Sequence, residues 1–474
     1  MPRLFWNFLY RVFRFLASLE VAVFIILSLA VILATGTIYE SKYSAEIASK
    51  LVYRSIWMQM LLWIFIVNLT AAAFSRLPWR KHHVGFLITH LGIIILLLGS
   101  FITQRKGIDG SMMIAPGSSS RFVRINENML NVFRAVKGKS YDLLFSERLD
   151  FNPMEQLKDP VHFTIGKDGE KIGLDVLSYY PKASRTVLAT ADASGKGVPA
   201  LHFTLRGSRA TISDWFFQSD LGNTRQYGPA EFRFLKAKPD PKMVPDRPTL
   251  FVYTGADKSA MPSLAVVGRG AKEIRYLGQL TLGKAIPLGW MDFEFFVDEY
   301  KPSANPQVSY SPLDHSAPES YEVILAQLDG EKLWLELGAS GQIARGDSLY
   351  YLQYTKKEID IGFELLLKKF VIGYYQGTTR PQSYSSLVQA GGGVDTEISM
   401  NHPLKQNDFT IYQSSYETDE SGNPRYSVLS VNQDPGRWIK YSGALMIVLG
   451  IISMFYFKPK YSGDHKMLKK EARV

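Results

Sequence analysis

The segment "VGFLITHLGIIILLLGSF" (Val84–Phe101) contains no charged residue from end to end. An α-helix rises about 1.5 Å per residue, so roughly 20 apolar residues cross the ~30 Å hydrocarbon layer of a bilayer. Three further uncharged segments have similar composition, namely Val21–Tyr39, Ser55–Ser75 and Tyr441–Phe457. Together these segments predict an integral membrane protein with four transmembrane α-helices.

The four apolar segments divide the chain into regions. The transmembrane helices are expected at about residues 18–39, 55–75 and 84–103, and at residues 438–457. The first three helices form an N-terminal membrane region, residues 1–102. Residues 103–437 lie between the third and fourth helices, and residues 458–474 form a basic tail.

The region between the third and fourth helices has the pattern of β-structure. Alternating segments such as "LHFTLRG" from Leu201 and "FTIYQSSYE" from Phe409 are separated by clusters of Gly, Pro, Asn and Asp. This pattern is typical of strands joined by turns. The predicted fold is therefore four membrane helices and a large, mainly β, sandwich-like extracytoplasmic domain or pair of domains.

The distribution of basic residues predicts the orientation in the membrane. Four crossings put both termini on one side, and that side carries several basic residues: Arg3, Arg11, Arg14, Arg76, Arg80, Lys81 and the lysines of the tail. The positive-inside rule makes this side cytoplasmic. We therefore expect a multi-pass protein of the cytoplasmic (inner) membrane, with residues 103–437 on the periplasmic side and the first helix as a retained signal anchor.

Composition limits the chemistry. The formal net charge is +10, but the basic residues concentrate beside the apolar segments, which favours contact with the bilayer and no nucleic acid partner. The chain has no cysteine, so it forms no disulfide and performs no thiol exchange. No phosphate loop, zinc-protease signature or nucleophile elbow occurs in residues 103–437, and no catalytic residue is assigned.

His90 is the candidate site residue, because it is an ionisable group within an apolar segment. It lies about six residues into its helix, or roughly 9 Å along the axis. A neutral imidazole offers one nitrogen to a metal while the other donates a hydrogen bond, which makes histidine a common axial ligand of haem iron. The alternative is an interhelical hydrogen bond, for example to Asn68 or Thr70.

Two neighbouring patterns admit two interpretations each. His83 lies seven residues before His90, about 10.5 Å away on nearly the same face, so one iron cannot bind both. With Lys81 and His82 it forms either a basic interfacial cluster or an entrance that attracts the carboxylates of an anionic cofactor. Glycines recur every seven residues at Gly85, Gly92 and Gly99, and they permit either close helix packing or room for a flat ligand.

Several segments together carry a resemblance to a known family. They are "ATGTIYES" (34–41), "VYRSIWMQMLLWIFIVNL" (52–69), "GFLITHLGIIILLLGSFIT" (85–103), "GIDGSMMIAPG" (107–117), "NHPLKQNDFTIYQSSYE" (401–417) and "DPGRWIKYSGALMIVLGI" (434–451). In this order and topology the sequence resembles the ResB family, also called CcsB, of the system that matures cytochromes c. The similarity is strong in the helices and weak in the middle of the chain.

This resemblance implies a function. Members of the family work with a multispan ResC/CcsA-type membrane subunit, and together they carry haem b across the membrane for attachment to apocytochrome c. Only His90 matches the family's transmembrane haem ligand, so the resemblance implies that His90 binds haem iron in transit and that the partner supplies the second ligand. It further implies a non-catalytic or co-catalytic subunit of a cytochrome c synthase complex. The alternative is a non-haem, membrane-anchored scaffold whose β domain recruits exported proteins.

Overall fold

The computed structural model describes residues 2–456 apart from thirteen short gaps, at residues 136–140, 168–169, 209–210, 219–223, 228–229, 243, 256, 290–291, 316, 318–319, 347, 379 and 420–423. The predicted basic tail, residues 458–474, lies outside the described residues, as does Phe457 at the end of the predicted fourth helix. The chain divides into two compact units, Met1–Met154 with Leu337–Val474, and Glu155–Glu336.

Four helical segments of the described chain are long and apolar enough to cross a membrane, which confirms the predicted four transmembrane helices. In chain order the helices are α1 (Pro2–Leu16), α2 (Leu19–Lys42), α3 (Ala45–Ala48), a π-helix (Ser49–Tyr53), α4 (Ile56–Phe74), a 3-10 helix (Lys81–His83), α5 (Val84–Lys106) and α6 (Arg437–Tyr456). The spanning segments are α2, α4, α5 with its preceding 3-10 turn, and α6.

Serine side chains define where two of the spanning helices begin. The Ser18 hydroxyl accepts a hydrogen bond from the amide of Val21 at 3.3 Å, and Ser55 accepts from Met58 at 3.2 Å. Such N-caps satisfy amide groups that have no partner within the helix. Helix α1 was not predicted as a separate element, because its arginines were interpreted only as the charged start of a signal anchor.

Glycines bring α5 and α6 into close contact. A Cβ atom added at Gly92 would lie 2.8 Å from the carbonyl oxygen of Gly443, and one added at Gly443 would lie 2.6 Å from the amide nitrogen of Leu96. Gly85 meets the backbone of Gly450 in the same way, at 2.7 Å. The glycines therefore serve close helix packing, and on this face of α5 the neighbouring helix takes the space that a flat ligand would need.

The first unit also contains a ten-stranded sheet. Its strands, numbered in chain order, are β1 (Ile108–Ile114), β2 (Ser119–Ala135), β3 (Asp142–Arg148), β17 (Ala339–Arg345), β18 (Ser348–Tyr374), β19 (Pro381–Ala390), β20 (Asp395–Ile398), β21 (Leu404–Gln406), β22 (Phe409–Thr418) and β23 (Pro424–Gln433). The order across the sheet is β20-β19-β18-β2-β1-β23-β22-β21, with β17 on β18 and β3 on β2.

This sheet curves so that distant strands share one core. Ser386 of β19 donates a buried hydrogen bond to Gln413 of β22 at 2.6 Å, although four strands separate β19 and β22 in the sheet order. Buried side chains from both ends of the sheet, including Val388 and Ile411, belong to the same hydrophobic cluster. Curvature thus lets one sheet bury its inner face against itself.

Strands β1 and β23 continue the paired helices α5 and α6. Strand β1 begins at Ile108, the residue after the C-cap of α5. It pairs antiparallel with the end of β23, where Ile108 lies opposite Gln433. Helix α6 begins only four residues later, at Arg437. The helix pair is therefore joined directly to the centre of the sheet.

Asp434 fastens this junction. Its carboxylate accepts hydrogen bonds from the Thr103 hydroxyl at 2.6 Å, from the Lys440 ammonium group at 2.7 Å and from the amide of Gly436 at 3.1 Å. Burial by itself would raise the pKa of Asp434, but the hydrogen bonds from Lys440 and Thr103 outweigh burial and hold this pKa below its ordinary value. The ionised carboxylate is thus the form that the fold stabilises.

Replacing Asp434 with asparagine is expected to lower the free energy of unfolding at pH 7 by about 1.5–3 kcal/mol, the usual range for a hydrogen bond to a charged group. Because the pKa is lowered on folding, this stabilisation is present above the pKa of the unfolded chain and is lost as the pH falls through the folded pKa. Thermal unfolding in detergent should therefore show a difference between wild type and variant that shrinks towards acidic pH. Asp109→Asn, an exposed carboxylate on β1, is the matched control, and equal stabilities at pH 7 would contradict the assignment.

The second unit consists of two sheets. Its strands are β4 (Val161–Lys167), β5 (Glu170–Ala191), β6 (Val198–Arg206), β7 (Thr211–Phe217), β8 (Thr224–Tyr227), β9 (Ala230–Leu235), β10 (Thr249–Tyr253), β11 (Ser263–Val267), β12 (Arg275–Gln279), β13 (Ile286–Pro287), β14 (Glu294–Pro312), β15 (Tyr321–Leu328) and β16 (Glu331–Glu336). One sheet has the order β16-β15-β5-β14-β6-β7, with β13 on β14 and β4 on β5, and the other has the order β12-β11-β10-β9-β8.

Aromatic side chains from both sheets form the core of the second unit. Phe203 of β6 stacks on Phe295 of β14, with ring centroids 5.6 Å apart, and contacts Phe232 of β9 in the opposite sheet at 5.3 Å. All three rings are fully buried. Two sheets that enclose a shared core form a sandwich, so the predicted large, mainly β, sandwich-like region is confirmed.

Candidate functional site

His90 lies on the second turn of α5 and is half-buried. Its Nδ1 atom is 3.0 Å from the carbonyl oxygen of Phe86, one turn earlier in the same helix. Because a carbonyl oxygen only accepts, Nδ1 carries the proton in this contact and donates it. The neutral imidazole then presents an unprotonated Nε2 with its lone pair available, which is the form that binds a metal.

The face of α5 that carries His90 points away from α6. At about 100° per residue, His90 lies roughly 160° around the helix from Gly92, which packs against α6, and within about 20° of Phe101. Phe101 stacks on Trp63 of α4, with ring centroids 4.8 Å apart and planes 7° from parallel. His90 therefore lies on the side of α5 that faces α4 rather than on the glycine seam.

The predicted alternative partners of His90 bond elsewhere. The Asn68 side chain donates to the carbonyl oxygens of Leu16 at 2.7 Å and Ser18 at 3.4 Å. The Thr70 hydroxyl donates to Ile66 in its own helix at 2.8 Å. In the structure His90 bonds within its own helix, to Phe86, while Asn68 bonds to the end of α1 and to Ser18, and Thr70 bonds within α4.

An aromatic and a cationic side chain extend the site beyond His90. The ring of Phe86 lies 3.8 Å from the His90 ring, centroid to centroid, and the guanidinium carbon of Arg76 lies 3.5 Å from the centroid of Phe86. No carboxylate of the described residues forms an ion pair with Arg76. The stack places a cation one ring away from the imidazole.

Sequence reasoning missed Arg76 and Phe86 as site residues. Arg76 was counted only as a charge that indicates orientation, and Phe86 only as one apolar residue of the segment. The available signal was the spacing of four residues between Phe86 and His90, which puts both side chains on one helix face. The proximity of Arg76 depends on the α4–α5 connection, which no periodicity reveals.

His83 differs from His90 in the nitrogen that it uses. Its Nδ1 atom accepts a hydrogen bond from the backbone amide of Arg80 at 3.3 Å, and its ring meets that of His82 edge-on at 4.1 Å. With Nδ1 as the acceptor, the proton of a neutral His83 sits on Nε2. His83 thus offers a donor rather than a metal ligand, and its role at a cofactor entrance stays a prediction.

Other histidines have ordinary partners. His162 in β4 lies 2.7 Å from a carboxylate oxygen of Asp175, and His202 in β6 lies 3.1 Å from one of Asp298. Among the described residues no group of three or more His, Cys, Asp or Glu side chains could hold a metal ion.

These observations define what the site can do. A single imidazole cannot hold a bare metal ion in a protein cage, since such sites need three or more ligands. It suits an iron atom whose other ligands come from a porphyrin, with the imidazole as one axial ligand. The ring of Phe86 and the guanidinium of Arg76 are chemically suited to the flat apolar face and the carboxylates of such a molecule.

A separate cleft of about 530 Å³ lies at the other end of α5, where Gly99 packs against the start of α6. It is lined by the turn between β21 and β22 and by Asp434, Arg437 and Trp438. His90 does not contribute to this cleft.

Comparison with known proteins finds the ResB-like family in the β region, where the similarity was expected to be weak. Residues 341–423 match the ResB-like family model, and this match covers strands of the ten-stranded sheet and not the membrane helices. Protein NrfI of Wolinella succinogenes is 33% identical to this chain over 134 residues, which make up 27% of this chain and 13% of NrfI. The aligned part thus spans a small fraction of that relative. Together, the two matches confirm that this multi-pass membrane protein is similar to the ResB family.

Proposed function

We propose that this protein is a subunit of a membrane complex for cytochrome c maturation, and that it helps carry haem b across the membrane and present it to apocytochrome c. The observation that carries the proposal is the geometry of His90, whose Nδ1 is committed to Phe86 at 3.0 Å while Nε2 is left for an iron. The similarity to ResB-like proteins and to NrfI supports the assignment to cytochrome c maturation.

The proposal requires a second protein. A low-spin haem iron takes two axial ligands, and helices α2, α4 and α6 contain no histidine. A ResC/CcsA-type multispan subunit that packs beside α4 and α5 would supply the second imidazole. Two ligands on separate chains would hold the iron and still permit its release, because separation of the chains removes one of them.

Arg76 would meet the haem at its charged edge. Haem carries two propionate carboxylates, and a guanidinium group binds carboxylates strongly in surroundings of low dielectric constant. Arg76 stacks on Phe86 at 3.5 Å and therefore approaches the ligand face of α5. We place this end of α5 on the cytoplasmic side by the positive-inside rule, where haem enters, and the β-sheets on the periplasmic side, where apocytochrome c is presented.

Co-expression with a ResC/CcsA-type subunit and a reporter apocytochrome c tests this function. We expect covalently attached haem in the reporter, detected on a denaturing gel by haem peroxidase activity, only when both membrane proteins are present. The purified complex should show a haem absorption band. A complex that assembles and binds the reporter, yet carries no haem at any stage, would contradict the proposal and favour the membrane-anchored scaffold.

A further inference from the structure

Helix α1 is strongly amphipathic. At about 100° per residue, the polar side chains Asn7, Arg11 and Arg14 fall within roughly 60° of the helix circumference. Among residues 5–16, the rest of the circumference carries apolar side chains, most of them aromatic. A narrow basic stripe beside a broad aromatic face is typical of helices that lie at a membrane surface.

The aromatic face of α1 has no protein cover among the described residues. Phe5 is 61% exposed, Trp6 68%, Phe8 63% and Phe15 65%. Four large apolar side chains on one short helix form an exposed patch that water would not stabilise. Since α1 adjoins a spanning helix, the bilayer is the apolar medium within its reach.

A buried side chain of α4 fixes the corner between α1 and α2. The chain leaves helical geometry at Ala17 and Ser18, and the Asn68 side chain, which is 2% exposed, donates to the carbonyl oxygens of Leu16 and Ser18. The helix break leaves the Leu16 carbonyl at the end of α1 without an intrahelical partner, and hydrocarbon offers it none, whereas the Ser18 carbonyl also accepts from the amide of Ala22 at 3.3 Å. Asn68 therefore makes the turn possible where a continuous helix would otherwise be favoured.

The position of this corner agrees with the depth of an interfacial helix. Asn68 lies six residues before Phe74, the last residue of α4, or about 9 Å along its axis. Surface helices bury their apolar face about 5–10 Å into the boundary between headgroups and acyl chains. The corner between α1 and α2 thus holds α1 at a depth where its aromatic face meets acyl chains and its basic stripe meets headgroups.

We propose that α1 lies in the plane of the membrane as an anchor, with its aromatic face among the acyl chains and Arg11 and Arg14 at the phosphates of anionic lipids. Asn68 is the positioning residue that sets its angle to α2. The partner is the lipid bilayer, at the leaflet where α4 ends. The inference depends on α1, α2 and α4 alone, so it stands apart from the haem proposal.

The absence of cysteine in the chain provides a clean test. Single cysteines introduced as Phe8→Cys and Asn7→Cys, each labelled with the fluorophore NBD, lie about 100° apart on α1 in the full-length protein, position 8 on the aromatic face and position 7 in the polar stripe. In proteoliposomes that contain lipids with nitroxide-labelled acyl chains, we expect quenching several-fold stronger at position 8 than at position 7. Direct quenching by labelled lipid distinguishes bilayer contact from contact with protein. Equal quenching at both positions would overturn the proposal.

Two further variants examine the corner and the charge. Asn68→Leu keeps the side-chain size and removes both hydrogen bonds, so the difference between positions 7 and 8 should disappear, and its persistence would overturn the role of Asn68. Arg11→Gln with Arg14→Gln should weaken quenching at position 8 in vesicles that contain phosphatidylglycerol and have less effect in pure phosphatidylcholine. The same effect in both lipids would overturn the part assigned to anionic headgroups. Elution of each variant as a single species confirms its fold.

Discussion

Substitution of His90 by alanine is expected to lower the haem that co-purifies with the complex by at least about tenfold. Loss of a residue that only supports a metal ligand typically lowers metal affinity by about tenfold or more, and loss of the ligand itself should lower it at least as much. The His90 imidazole is the group on this chain whose geometry suits binding of iron through a nitrogen lone pair. Its Nδ1 proton is held by the Phe86 carbonyl oxygen at 3.0 Å, which fixes the ring orientation as well as the tautomer. The measurement is the pyridine haemochrome spectrum per mole of purified complex.

Histidines elsewhere in the chain provide the controls. His162→Ala removes an exposed imidazole that bonds to Asp175, and we expect unchanged haem content. His83→Ala should reduce haem much less than His90→Ala, since Nδ1 of His83 accepts from the amide of Arg80 and the proton of the neutral ring therefore lies on Nε2, the nitrogen that His90 leaves free for iron. Equal losses at positions 83 and 90 would contradict the distinction between the two tautomers.

Chemical rescue separates ligation from folding. His90→Gly leaves a space that imidazole from solution can enter, and restored haem absorption with added imidazole would show that the missing group is the ligand itself. A variant that merely unfolds would not respond. Haem content that is unchanged in His90→Ala, with the complex intact, would contradict the assignment of His90.

Leucine at Gly92 is expected to separate α5 from α6 and to destabilise the membrane region severely. A single Cβ atom there would already lie 2.8 Å from the Gly443 carbonyl oxygen and 2.8 Å from the amide nitrogen of Ile447. Both are backbone atoms, which cannot move aside as a flexible side chain can. Overpacking typically lowers the free energy of unfolding by about 1–3 kcal/mol. Because this substitution forces a side chain against a helix backbone, we expect a loss at or above the upper end of that range.

The measurement is thermal unfolding in detergent, followed by size-exclusion chromatography. Gly92→Ala should be intermediate, because it introduces the Cβ atom alone. Leu91→Phe is the matched control, since Leu91 is 49% exposed on another face of the same helix and a larger side chain there meets no backbone. Wild-type stability in Gly92→Leu would show that the two helices do not depend on this contact.

The β region shows both the reach and the limit of sequence patterns. Alternation in segments such as the one from Leu201 predicted strands, and β6 (Val198–Arg206) lies there. The pairing of these strands with one another could not be predicted from alternation. Strand β18 pairs with β2, more than 200 residues earlier in the chain, because sheet register depends on which apolar faces meet in three dimensions.

The same contrast applies to the site. His90 could be singled out because an ionisable residue in an apolar segment is costly wherever the helices pack. The glycine spacing left two interpretations open, and only the contact of Gly92 with Gly443 distinguished them. Helix α1 shows a pattern that was present but assigned to a retained signal anchor, since the turn at Ser18 depends on Asn68 from another helix.

The sequence alone determined the four spanning helices, the mainly β region between the last two and the candidate His90. Each of these follows from local composition, since the hydrophobic effect acts on every apolar segment independently of its neighbours. Tertiary structure decided the proximity of Arg76, the closed seam between α5 and α6 and the corner at Asn68. Those features are contacts between residues distant in the chain or between backbone and side chain, and their energies exist only once the elements have packed.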